Sequence, residues 1–71
     1  MKKYWLINVS GIDGYSFMVR CKADSSDDVI SMASEAGLFN DEEDTKEASC
    51  EEADEEDIKH FTEWGLIQEI D

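Results

Sequence analysis

The sequence predicts an α+β fold: a small, mostly antiparallel sheet in the element order ββαβαβ, with two helices packed on one face. Three observations predict it. Residues 15–23, YSFMVRCKA, alternate strictly, with Tyr15, Phe17, Val19, Cys21 and Ala23 on one side and Ser16, Met18, Arg20 and Lys22 on the other, which is the period of a half-buried strand. Residues 26–39 repeat their apolar positions at helical spacing, with Val29, Met32, Ala33 and Ala36 on one face. Glycines stand where a tight turn or a helix end needs them, at 11, 14, 37 and 65.

The elements follow in chain order. Residues 4–10, YWLINVS, are rich in aromatic and β-branched side chains and read as the first strand. The segment GIDG at 11–14 is a turn, so the first two strands form a β-hairpin. Asp24 or Ser25 caps the first helix, with Asp27 or Asp28 three residues on. Gly37 ends it, and Leu38 and Phe39 fold back as an apolar anchor. Residues 45–53, TKEASCEEA, form a third strand with Ala48 and Cys50 inward and Glu47, Ser49 and Glu51 outward. Asp54 caps the second helix, where Glu55, Glu56 and Asp57 complement the helix dipole. Ile58 and Phe61 supply its inner face, Gly65 ends it, and residues 66–70, LIQEI, form the last strand.

Seventy-one residues make one domain, 1–71. A chain this short buries only about 60% of its unfolded surface, so its stability should be modest. The apolar runs are too short to cross a bilayer, and Asn8, Ser10 and Asp13 interrupt the stretch after Lys2 and Lys3 before it becomes a signal-peptide core. The chain is therefore expected to be cytoplasmic.

The net charge is −13, unevenly distributed. Residues 1–23 carry four basic side chains against Asp13, whereas residues 24–71 carry two against eighteen acids. Direct binding to nucleic acid or to an anionic membrane needs clustered Lys and Arg, and neither is expected. A basic protein partner is favoured. The acids are densest from 41 to 57, where eleven of seventeen residues are Asp or Glu and only Lys46 opposes them. Those in the second helix's first turn have a structural reason to be there. Glu42, Glu43, Glu47, Glu51 and Glu52 have a weaker one and are the expected partner-binding residues.

Specific chemistry fares less well. A twelve-residue calcium loop counted from Asp41 places Glu43, Thr45 and Glu52 at ligand positions, but Lys46 stands where the loop needs glycine. Cys21, Cys50 and His60 lack the paired spacing of a zinc site. The acids around Cys50 oppose the thiolate that a Cys50–His60 nucleophile would need. Ser10, Ser16 and Ser49 have no nucleophile-elbow context. No enzyme, metal or cofactor is expected.

A four-residue turn pairs odd-numbered residues of the second strand with even-numbered residues of the first. Tyr4, Leu6 and Asn8 would then share the helix-covered face, leaving Trp5, Ile7, Val9, Met18 and Arg20 together on the other. That cluster has the composition of an interface core and predicts self-association as a homodimer, which a lysine at Ile7 would break. The function expected is a non-enzymatic interaction module, docking on a basic partner or on itself. Two alternatives stand beside it: a nucleic-acid mimic that blocks a DNA- or RNA-binding protein with its carboxylates, and weak calcium binding.

Overall fold

The computed structural model describes residues 2–12 and 14–70, so Asp13 of the hairpin turn lies outside them. Strand β1 (Lys3–Val9) and strand β2 (Tyr15–Cys21) form the hairpin, followed by helix α1 (Ser26–Glu35), a short helix α2 (Asp44–Glu47), strand β3 (Ala48–Glu52), helix α3 (Glu55–Trp64) and strand β4 (Ile67–Glu69). The α+β class and the four-stranded sheet are as expected, but Thr45, Lys46 and Glu47, expected to open the third strand, belong to the short helix α2 instead. The strand order is β3-β1-β2-β4. β1 pairs antiparallel with β2 and β3, and β4 lies parallel to β2.

Local chemistry sets the helix ends. Ser25 is the N-cap of α1, its Oγ accepting the Asp28 N–H at 3.3 Å, and Asp54 caps α3 by accepting the Asp57 N–H at 2.8 Å. Gly37, at φ 71°, closes α1 with two bonds that replace missing helical ones: its own N–H donates to Ser34 C=O and that of Leu38 donates to Ala33 C=O. Leu38 and Phe39 then pack back on the core, Phe39 edge-on to Phe17 at 5.5 Å. Ala36, expected on the inner face, is the C-cap and is exposed, because α1 stops one residue short of it.

The hairpin register differs from expectation. β1 ends at Val9 and β2 starts at Tyr15, so the loop has five residues, Ser10 having left the strand. Trp5 therefore pairs with Val19, Ile7 with Phe17 and Val9 with Tyr15. One additional loop residue moves a whole strand's side chains to the other face. The loop is tight: the Gly14 N–H bonds Gly11 C=O at 3.2 Å, and a Cβ on Gly14 would lie 2.8 Å from Val9 C=O.

This register corrects the expected Trp5, Ile7, Val9, Met18 and Arg20 face. Trp5, Ile7 and Val9 are buried with Phe17, Val19 and Cys21 under Val29 and Ala33 of α1. Met18 lies on the opposite face, buried with Leu6 and Phe61 of α3. Arg20 shares Met18's face, half-buried, ion-paired to Glu69 at 3.0 Å and stacked over the Tyr4 ring at 5.6 Å. No common apolar face joins the five.

The helices accordingly pack on the sheet from opposite sides, not from one. β2, β3 and β4 all run the same way, so α1 and α3 are both parallel crossovers. The first moves outward past β1 to one edge, and the second returns across the sheet to the other edge. Two crossovers of the same hand that travel in opposite directions must use opposite faces, and strand twist makes one hand nearly universal. Each face thus carries its own thin core, a larger one beneath α1 and a smaller one beneath α3.

Candidate functional site

The acidic stretch is built from α2, β3, the first turn of α3 and the loop leading into α2. Tyr15 anchors that loop: its hydroxyl donates to Asp44 Oδ2 at 2.7 Å and accepts the Asn40 N–H at 3.0 Å. A half-buried tyrosine needs such a partner for its polar end. Asp41 Oδ1 accepts the Glu43 N–H at 3.0 Å, and Thr45 Oγ1 donates to Glu42 C=O at 2.7 Å. The Ser10 N–H donates to Glu47 C=O at 3.1 Å, which ties the end of α2 to the hairpin.

A division of labour between the two acid types results. Asp41, Asp44 and Asp54 use their carboxylates to hold main chain or Tyr15 in place. Their short side chains reach local N–H groups, as in turns and caps. Glu42, Glu43, Glu47 and Glu51 are exposed, and among the described residues their carboxylates have no hydrogen-bond or ion-pair partner. Glu52 is exposed as well, with Lys3 Nζ at 3.7 Å. An exposed pair at that distance contributes little.

The five glutamates are brought to one edge of the sheet but not to one plane. Glu42 and Glu43 lie before α2, and Glu47 is its last residue. Glu51 pairs with Leu6, placing it on the α3 side, whereas Glu52 pairs with Trp5, on the α1 side. Ala48 and Cys50 point toward the α1 core as expected.

Cys50 and His60 are not brought together. Cys50 packs into the cluster beneath α1, while His60 is exposed on α3, stacked with Trp64 at 5.7 Å. Both cysteines are free thiols. Among the described residues no group of three or more His, Cys, Asp or Glu side chains is placed to hold a metal ion. Shallow grooves open to solvent occur, one of them between the hairpin tip at Gly11 and Ile12 and the acidic Glu43, Asp44 and Glu47. No helix among the described residues is long and apolar enough to cross a membrane.

Burial pushes the Cys50 thiol up to about 11, with Cys21 and Glu51 adding to the effect. Burial also raises Cys21, opposed by Lys2. A thiol is neutral when protonated, and an unfolded one titrates near 8.5. The folded state therefore retains protons that the unfolded chain has released. Stability from this source is complete below about pH 8.5 and is lost as pH rises toward the folded value. Denaturation midpoints should fall between about pH 8.5 and 10. Cys50→Ala should flatten that fall, and an unchanged slope in this variant would reject Cys50 as the cause.

The anchoring role of Tyr15 was not readable from its place in the strand alternation, which marks it as a core residue. The signal that could have found it is the hydroxyl on an otherwise apolar strand face. No protein family, no curated protein and no solved structure matches the chain.

Proposed function

We propose that the protein is a non-enzymatic interaction module that docks on a basic protein partner through Glu42, Glu43, Glu47, Glu51 and Glu52. One observation carries this reading: exposed glutamates, of which only Glu52 has an ion-pair partner among the described residues, are mounted on main chain that the neighbouring aspartates and Tyr15 hold in place. A pre-ordered charged surface loses less conformational entropy on binding than a mobile acidic loop would. Its attraction reaches over a Debye length, about 8 Å at physiological salt. The divergence of Glu51 and Glu52 to the two sides of β3 supports general docking over a nucleic-acid mimic, whose carboxylates must line up in phosphate-like rows. A cytoplasmic location remains part of the proposal.

The test compares the wild type with a variant carrying Gln at all five glutamates, titrated with an unstructured lysine-rich peptide across a salt series. Binding of the wild type should weaken steeply as salt rises, mainly through the on-rate. The five-Gln variant should stay folded and bind at least about tenfold more weakly at low salt. A control variant neutralises Asp24, Asp27, Asp28, Glu35 and Glu63 instead and changes the net charge equally. Equal losses in the two variants would mean that net charge alone matters, and the docking reading would fail.

A further inference from the structure

We infer that the outer edge of β3 is a strand-pairing site for an extended, lysine- or arginine-rich segment of a partner protein. This rests on the docking reading above and specifies the form of the partner. β3 is an edge strand with β1 as its one neighbour. The Ser10 N–H bonds Glu47 C=O, and the Ala53 N–H bonds Tyr4 C=O at 2.9 Å, which fixes the phase of the ladder between them. Antiparallel pairs alternate between bonded and non-bonded. Ser49 and Glu51 therefore exchange bonds with Asn8 and Leu6, while Cys50 and Glu52 turn their main-chain groups away from β1. Among the described residues no other group bonds to the outward N–H groups of Cys50 and Glu52.

Such an edge is a template for another strand, and proteins commonly guard it with charge. Here the charge selects the occupant. Glu51 lies beside the edge on the α3 side and Glu52 on the other, and Glu47, the last residue of α2, leads directly into the strand. Like charges set opposite one another destabilise a strand pair, so a second copy of this edge is disfavoured. A strand with basic residues at alternate positions would place them next to Ser49 and Glu51 and its apolar residues next to Ala48 and Cys50. The opposite edge does not offer this: β4 has three residues, and its Glu69 is already paired with Lys2 and Arg20 at 3.1 and 3.0 Å.

The probe is an end-blocked eight-residue peptide alternating lysine and valine, with two further versions N-methylated on all lysines or on all valines. Amide exchange is followed residue by residue on the full chain. At saturating peptide, exchange at Cys50 and Glu52 should slow by about tenfold or more, while Ser49 and Glu51, already bonded to β1, change less. One of the two N-methylated versions, the one that removes the N–H groups facing the edge, should bind about tenfold more weakly. If both bind like the parent peptide and exchange at Cys50 and Glu52 is unchanged, the strand-pairing inference is overturned and the docking reading stands. That reading fails separately, through the five-Gln comparison. Failure of the alternating peptide to bind, or protection of Ile67 and Glu69 in place of β3, also overturns the inference. So does protection of Cys50 and Glu52 that grows with protein concentration without peptide, because the occupant is then a second copy.

Discussion

Ile7→Lys should unfold this protein at neutral pH. Ile7 has 0% of its surface exposed. It sits on β1, between Phe17 of β2 and Cys50 of β3, beneath Val29 and Ala33 of α1. No carboxylate belongs to that cluster, so an ammonium group placed there is desolvated without a partner. Even after relaxation such a charge costs several kcal/mol. A chain of this length has a total stability of roughly 4–10 kcal/mol, so the substitution removes most or all of it. Ile7→Val, which deletes one methylene, should cost about 1 kcal/mol and keep the fold. Circular dichroism and urea denaturation of the two variants check this. A folded Ile7→Lys protein with a near-wild-type midpoint would show that Ile7 is not core. The expectation that a lysine at Ile7 would break a dimer and spare the monomer is abandoned with the apolar face on which it depended.

The second large effect is on α3. Phe61 is the one buried residue of that helix, packed on Leu6 and Met18 with Ile58 and Ile67 at the margin. Phe61→Ala should cost about 3 kcal/mol, at the lower end for buried phenylalanine, because the core on this face is thin and can partly collapse. Loss of the anchor should loosen α3 and β4 together, since the chain between them is only Gly65 and Leu66. Amide exchange in α3 should accelerate before exchange in β1 and β2 does. Trp64 provides the contrast. It packs edge-on against Phe61 at 5.3 Å but is 62% exposed, so Trp64→Ala should cost less than about 1 kcal/mol. If the two substitutions cost the same, the helix is not held by Phe61.

Much of the local structure was readable from the sequence. Ser25, Asp54, Gly37 and Gly65 mark helix ends because capping acts between residues three or four apart, as the bonds to Asp28 and Asp57 show. The inward placement of Ala48 and Cys50 followed from simple alternation. The density of acids from 41 to 57 was likewise plain. Which of them are free was not, because Asp44 is occupied by Tyr15, 29 residues away in the chain.

The sequence by itself determined the α+β class, the hairpin, the two main helices and the concentration of negative charge, all of which depend on neighbouring residues. Only the tertiary structure decided which side chains share a face and where the open edges fall. Whether Ser10 belongs to β1 or to the loop shifts the register by one residue and changes the companions of Trp5, Ile7 and Val9. The placement of α1 and α3 on opposite faces depends on strand order, which brings β3 and β4 to opposite edges of the sheet. Strand alternation repeats every two residues, so a one-residue uncertainty in a loop, too small to see in local patterning, reverses the inside and the outside of a whole strand.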